Sequence, residues 1–356
     1  MILKHLILHA FRNYSEISVP FREGINVIQG KNGAGKTSLL EAIFFLSTGR
    51  SFRTVHLSDL IKKGAAHFYI EAHFIRDGVE QVLTIGYDGQ SRRIHYNNTL
   101  FQNFSHVLGI LPSVLYAPKD SELISGSPAD RRRFLNIQLA QTDPLYVHHL
   151  TRYHKAMKHR NALLKQKSEV AIESFEHMMA HSARYLMEKR KDLIEALKPR
   201  LKNFATHLSS QKDLFDLYYE PSIAFKRMDE METLYLKQRP KELILGTTLI
   251  GPHRDDFLIT YDKKDAKMYA SEGQKRTCIT ALKLSEWEEL SLKTECRPLI
   301  SIDDFGIHLD QTRSEMLQSL LPQFGQVFLT TPLIEAFPAA HFLHVEEGKL
   351  CDPITT

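Results

Sequence analysis

Gly30-Lys31-Asn32-Gly33-Ala34-Gly35-Lys36-Thr37 is the stretch whose reading decides the fold of this 356-residue chain. It fits the pattern G-x-x-x-x-G-K-[ST], a phosphate-binding loop when it joins a strand to a helix. Upstream, Gly24-Ile25-Asn26-Val27-Ile28-Gln29 reads as a short buried strand ending at Gly30. Downstream, Leu39, Leu40, Ile43, Phe44 and Leu46 recur at helical spacing until Gly49. Glycines let backbone N–H groups turn inward around phosphates, Lys36 supplies positive charge at the β and γ positions, and the Thr37 hydroxyl is placed to ligate Mg²⁺. Gly30, Lys31, Asn32, Gly33, Ala34, Gly35, Lys36, Thr37 and Ser38 are therefore expected to hold ATP, Lys36 also acting in catalysis. The competing reading, a glycine-rich turn with an idle lysine, is disfavoured by the flanking strand and helix.

Such a loop needs a carboxylate at the end of a neighbouring apolar strand, and Pro298-Leu299-Ile300-Ser301-Ile302-Asp303-Asp304 supplies one. Asp303 is expected on the metal side. Asp304, one residue on, is expected to face the γ-phosphate and polarise the attacking water. The alternative is a pair of aspartates that terminates a strand in a solvated turn. A third element, Ser271-Glu272-Gly273-Gln274, precedes the helical run Thr277 to Leu290, where Ser and Gly at a helix start make an anion site or an ordinary cap. Its place before Asp303, with Asp310 following, favours the anion site.

Around these motifs, residues 2 to 8 read as another buried strand. From about 66 to 111, alternating stretches such as Phe68 to Phe74 and Val82 to Ile85, broken by Asp77-Gly78 and Asp88-Gly89, read as β-hairpins in an antiparallel subsheet. After Pro128, charged helix-forming sequence takes over until about 213. Leu186, Leu193, Leu197, Leu201 and Phe204 make an apolar stripe there, and Pro199 is expected to kink or divide the helix. The interruptions point to a compact helical bundle rather than a long coiled coil. Strands are expected again at Leu243 to Ile250, Phe257 to Tyr261, Pro298 to Ile302, Gln326 to Leu329 and Phe342 to Val345. The implied fold class is α/β: an ATPase head whose N-terminal lobe spans 1–127 and C-terminal lobe 243–356, with a helical arm inserted at 128–242.

Composition excludes more than it selects. An apolar fraction of 43% and a charged fraction of 25% are ordinary for a globular protein. No apolar run approaches bilayer length and the start lacks a secretory layout, so a cytoplasmic location away from membranes is expected. Cys278, Cys296 and Cys351 include no C-x-x-C pair, which argues for reduced thiols over a disulfide framework or zinc site. The net charge of +4 is unevenly spread: residues 131 to 202 hold 16 Lys and Arg against 7 Asp and Glu. That excess is compatible with sequence-independent phosphate contacts to DNA, and equally with a helical arm kept soluble by lysines.

The order of phosphate loop, S-x-G-Q, Asp-Asp and a following Asp resembles the SMC and ABC ATPases, and within them the RecF family. The residues that carry the closer resemblance are Phe11-Arg12-Asn13-Tyr14, Gly49-Arg50-Ser51-Phe52-Arg53-Thr54, Gly126 to Leu135, Arg160-Asn161-Ala162-Leu163-Leu164, Gly251-Pro252-His253-Arg254-Asp255-Asp256 and Ser271 to Thr277. The resemblance implies that Arg12 and Asn13 lie near the nucleotide and that Arg53 contacts phosphate. It implies that Ser271, Gly273, Gln274 and Asp310 reach ATP held by a second copy, in an ATP-dependent homodimer. It also implies a weak ATPase acting on double-stranded DNA near single-strand junctions in replication, recombination and the SOS response to DNA damage, with RecR, RecO and RecA as partners. Arg131, Arg132 and Arg133 are then possible contacts to DNA or nucleotide, or simply a solvated helix start. A metal reading of His253 with Asp255 and Asp256 lacks further ligands at suitable spacing.

Two departures from the superfamily limit the carry-over. Val114-Leu115-Tyr116-Ala117-Pro118-Lys119-Asp120 holds no Gln for the metal, and Thr330-Thr331 stands where a switch His is usual. Asp304 replaces the usual catalytic Glu and is one methylene shorter, so slow hydrolysis is expected. A transporter's nucleotide-binding subunit shares the phosphate loop and S-x-G-Q, but the long stretch between Lys36 and Ser271 and both missing residues oppose it. A metabolite kinase would need a phosphoacceptor pocket and no dimerisation.

Overall fold

The computed structural model describes residues 1–209, 213–224, 227–306, 311–331, 337 and 339–351. The chain forms two compact units. The first comprises Met1–Ser121, Asn203–Asp213 and Ser271–Thr356; the second comprises Glu122–Lys202 and Leu214–Ala270.

In the first unit, β1 (Ile2–Phe11), β2 (Tyr14–Pro20), β4 (Phe68–Arg76), β5 (Val79–Tyr87), β6 (Arg92–Tyr96) and β7 (Thr99–Phe101) form an antiparallel sheet in the order β2-β1-β4-β5-β6-β7. Burial alternates along β4, as the period of two requires when one face meets the core. Asp77 and Gly78, both with positive φ, close the β4–β5 hairpin, so the expected hairpins are present. The second sheet runs β15-β14-β3-β13-β12-β8, from β3 (Ile25–Gln29), β8 (Ser113–Tyr116), β12 (Leu299–Ile302), β13 (Val327–Thr330), β14 (His341–Glu346) and β15 (Lys349–Cys351). All its pairings are parallel except β14–β15. Strands β12 and β13 are buried at every residue, as parallel strands covered on both faces must be.

Helix α1 (Lys36–Thr48) is buried from Ser38 to its end, and Leu39, Ile43 and Leu46 share a core with Leu6 and Leu8 of β1 and Ile70 and Phe74 of β4. The unit also holds α8 (Glu272–Thr294) and α9 (Gln311–Leu320). Cys278, Cys296 and Cys351 are all free thiols.

The second unit contains α2 (Glu122–Ser125), α3 (Pro128–Thr142), α4 (Pro144–Lys165), most of α5 (Ile172–Leu208), α6 (Met228–Leu245) and α7 (Ala266–Tyr269). It also has a sheet of its own, β11-β10-β9, from β9 (Phe215–Glu220), β10 (Asp256–Tyr261) and β11 (Lys264–Asp265). The arm is therefore not purely helical, and its extent differs from 128–242, because β9 pairs along its length with β10. The strand expected at Leu243 to Ile250 does not form. Leu243 to Leu245 complete α6, which Gly246 stops in the left-handed conformation, and Ile244 is 82% exposed. Pro199 does not divide α5, although it removes one helical hydrogen bond; the Arg200 guanidinium donates to the Ala196 carbonyl in that turn. Leu186, Leu193, Leu197 and Leu201 are buried as the stripe requires.

Candidate nucleotide-binding site

The first unit carries the site. Strand β3 ends at Gln29, and the chain coils through Gly30 to Gly35 into α1. Gly35 has φ 121°, and a Cβ there would lie 2.4 Å from the Tyr14 hydroxyl oxygen and 2.6 Å from Asn13 Nδ2. Gly30 is similarly constrained, since its Cβ would meet the Val345 carbonyl at 2.1 Å. Only glycine fits at either place. The loop's carbonyls are held by outside donors: Asn13 Nδ2 and Gly348 N–H donate to Ala34 O at 2.9 and 3.3 Å, and the Tyr14 hydroxyl donates to Gly35 O at 2.9 Å. Helix α1 begins with no side-chain cap and no acidic residue in its first turn, which leaves its N-terminal field available to an anion. Lys36 Nζ folds onto the loop, donating to Gly30 O at 2.8 Å and Lys31 O at 3.1 Å.

Strand β12 delivers the two aspartates. Asp303 Oδ1 accepts from Thr37 Oγ1 at 3.0 Å and from Thr330 Oγ1 at 2.9 Å. Burial raises the Asp303 pKa above the ordinary carboxylate value; the charge on Asp304 adds to this, while hydrogen bonds from Thr330 and Thr37 and the charge on Arg53 oppose it. A threonine hydroxyl and a carboxylate on one spot are the hard oxygen donors that suit Mg²⁺. Asp304 takes the left-handed conformation (φ 59°), and its N–H donates to Thr330 Oγ1 at 2.8 Å. Thr330, standing where a switch His is usual, thus braces both aspartates.

An open cavity of about 950 Å³ brings together Asn32, Gly33, Gly35, Lys36, Thr37 and Ser38 of the loop with Arg12, Asn13, Arg53 and Asp304. Asp59, Ile61, Lys62 and Lys63, which sequence reading missed, line it too. Behind its wall lies one more residue that was missed. Glu41 of α1, wholly buried, accepts from Arg12 Nε at 2.8 Å and Arg12 Nη2 at 2.6 Å, from Arg53 Nη1 at 3.4 Å, and from the Ser51 hydroxyl. The available signal was a single acid at the centre of an otherwise buried helix.

Ser271 and Gln274 do not line this cavity. They form a reciprocal cap on α8, with Ser271 N–H donating to Gln274 Oε1 at 2.8 Å and Gln274 N–H to Ser271 Oγ at 3.3 Å. Gly273 is open apart from Arg313, whose Nη1 would lie 3.1 Å from an added Cβ. Asp310 lies outside the described residues.

In the second unit, the arginine run at the start of α3 is tied into the protein. Arg131 makes a two-pronged pair with Asp256 at 2.6 and 2.8 Å, and Arg132 donates to Asp255 O at 2.8 Å. All three arginines are half-buried. His253 accounts for both ring nitrogens with Tyr153 Oη at 2.8 Å and Thr248 O at 3.1 Å, and among the described residues no cluster of His, Cys, Asp or Glu could hold a metal ion.

Comparison with known proteins agrees with this geometry. Residues 2–343 match the RecF/RecN/SMC N-terminal domain family. The DNA replication and repair protein RecF of Protochlamydia amoebophila is 45% identical over 338 residues, covering 93% of this chain and 94% of that protein. RecF of Chlamydia caviae is 36% identical over 336 residues, with 93% and 92% covered. Among solved structures, the recombination mediator RecF with ATP superposes with a TM-score of 0.90 at 29% identity, over 98% of this chain and 97% of that one. An SMC head bound to part of ScpA, at 17% identity and TM-score 0.56, shares the fold alone. The chain belongs to the RecF family, within the RecF/RecN/SMC proteins.

Proposed function

We propose that the chain holds ATP and Mg²⁺ in the Lys36 cavity, closes head to tail with a second copy on duplex DNA, and hydrolyses ATP slowly to release it. The observation that carries this reading is the convergence of Lys36, Thr37, Asp304, Arg12 and Arg53 on one open cavity, with Asp303 bonded to Thr37. Lys36 leaves the Gly30 and Lys31 carbonyls for the β and γ oxygens, and Thr37 and Asp303 supply the metal's protein ligands. When bound, Mg²⁺ neutralises charge on the transferring phosphoryl group. Asp304 accepts a proton from the attacking water. With a shortened base and Thr330 in place of an imidazole, turnover below about one per second is expected; many per second from the protein alone would overturn this reading.

Ser271, Gly273 and Gln274, with Asp310, belong on this reading to the partner copy's nucleotide. Ser271, Gly273 and Gln274 do not line the chain's own cavity and stand at the N-terminus of α8, which supports that. The work proposed is DNA replication and recombinational repair at junctions of double- and single-stranded DNA, with RecR, RecO and RecA as partners in the cytoplasm. The relatives are named for DNA replication and repair, and the solved neighbour for a recombination mediator. Family membership sets the transporter reading aside, and no described helix is long and apolar enough to cross a membrane.

Gel filtration with light scattering, on wild type and Lys36→Arg with ATP and gapped DNA at two salt concentrations, tests the whole. Wild type is expected to shift to a dimer on DNA only with ATP, weakening as salt rises, and Lys36→Arg to stay monomeric. DNA affinity indifferent to both ATP and salt would sink the clamp.

A further inference from the structure

We infer that Glu41 is the positioning residue of the nucleotide cavity, a single buried carboxylate that sets both Arg12 and Arg53 against the ligand. The inference rests on the cavity being an ATP site and concerns how that site is preset.

Glu41 lies one helical turn after Thr37, so the helix that starts at the phosphate loop also carries the anchor. Its side chain has no exposure, against 17% for Arg12 and 45% for Arg53. Burying one carboxylate in a helix that is otherwise core is costly unless charges and hydrogen bonds meet it. Three do. Arg12 takes it with two parallel bonds, the geometry that fixes a guanidinium plane as well as its charge. The third Arg12 nitrogen donates to Asp59 O at 2.7 Å, so the group is locked. The Ser51 hydroxyl donates to Glu41 and accepts from the N–H groups of Arg53 and Thr54 at 2.9 and 3.0 Å. Glu41 therefore sets the backbone that presents Arg53, and then meets the Arg53 side chain through a longer contact of 3.4 Å.

The charge arithmetic gives this arrangement a direction. One acid against two arginines leaves a positive surplus, and both arginines border the cavity. An anion entering there meets one fixed and one loosely held guanidinium. The loosely held one, Arg53, can give up its longer bond to Glu41 with little loss. The buried carboxylate acts on ATP through them and touches no ligand.

The test is a binding titration with a fluorescent ATP analogue on the full chain, alongside thermal unfolding. Glu41→Gln is expected to weaken binding about tenfold, because both arginines lose their charged anchor. The same change in an Arg12→Ala background is expected to cost much less than tenfold, since its effect runs largely through Arg12. A Glu41 that served only the fold would lower the melting temperature, leave the affinity of the folded protein unchanged, and show full additivity with Arg12→Ala. Should Glu41→Gln fail to fold, Ser51→Ala gives the decision: a few-fold loss of affinity supports the inference, and wild-type affinity overturns it. Lys36→Ala separates the two readings. If wild type binds the analogue and Lys36→Ala does not, ATP occupancy stands and wild-type affinity in Glu41→Gln refutes the positioning role alone. If wild type binds nothing, the nucleotide reading itself falls.

Discussion

The two units solve the same problem, an ionic cluster inside a protein, in opposite ways. In the first, the buried Glu41 holds two arginines that are both partly exposed and both border an open cavity. In the second, Arg160 is wholly buried and donates to Glu176, Glu242 and Thr248 at 2.6 to 3.1 Å, while its guanidinium lies 5.2 Å from the Tyr235 ring. Arg239 completes the set with two bonds to Glu176, at 2.6 and 3.3 Å. Two arginines meet two buried acids there, and Arg239 also reaches the exposed Glu169 and Glu173 at 3.1 and 3.6 Å, so every positive charge in the cluster is matched by a carboxylate. The first cluster turns surplus positive charge towards solvent; the second has no positive surplus. Local charge balance and access, more than the mere presence of arginine, separate a ligand site from a scaffold.

Breaking the sealed cluster should have the largest effect. Arg160→Ala leaves Glu176 short of a partner and the buried Glu242 without a counter-charge, with only the Leu249 N–H to meet it, and a loss of about 3–5 kcal/mol is expected. Urea unfolding followed by far-UV circular dichroism measures it. A loss under about 1 kcal/mol would mean that the cluster is not the second unit's keystone. Replacing Arg160, Glu176, Glu242 and Arg239 together by apolar residues should recover much of the loss, because the cost lies in orphaned charge.

Acid should find the next weakness. His253 accepts at Nδ1 from Tyr153 when Nε2–H donates to Thr248 O, which is the neutral tautomer. Burial, with the nearby charges of Arg254, His154 and Arg132, lowers its pKa to about 4, against the backbone bond to Thr248 that raises it. In the unfolded chain the ring protonates near pH 6.5. The unfolded state then binds more protons between those values, so the stability His253 confers is intact above about pH 6.5 and is lost as pH falls towards 4. On the order of 3 kcal/mol is at stake. Urea midpoints of wild type and His253→Gln between pH 7 and pH 4 should converge as pH falls; parallel curves would remove the histidine from the account.

The contrast between the clusters was only half legible in the sequence. The phosphate loop, the Asp303-Asp304 strand and the Ser271 cap announce themselves because each needs particular residues at fixed spacing on one short segment. Glu41 did not, since an acid five residues into a helix reads as a solvent position until β1 and the 51–54 turn bring Ser51 and two arginines to it. The second unit's sheet was hidden for a similar reason. Strand β9 finds its partner β10 only after a long helix intervenes, and the Leu243-Ile244-Leu245 run satisfies strand and helix patterns equally. The excess of basic residues between 131 and 202 is in part internal, because Arg160 and Arg190 are spent inside the fold.

Arg131 is the intermediate case, and the smallest effect. Its side chain is 12% exposed and its partner Asp256 22%, so the pair is neither sealed like Arg160 nor open like Arg53. Its Nη1 also reaches Leu123 O and Gly126 O at 3.4 and 3.3 Å, which ties the turn before α3 to β10. A phosphate could recruit this guanidinium only by displacing Asp256 and leaving a half-buried carboxylate unpaired. Arg131→Met should therefore lower stability by about 1–2 kcal/mol while duplex affinity and its salt slope stay as in wild type. A salt slope reduced by about one, with stability intact, would reassign the residue to DNA. That outcome would also show that saturation by an internal carboxylate does not exclude a basic side chain from recognition, which is the rule on which the contrast between the two clusters depends.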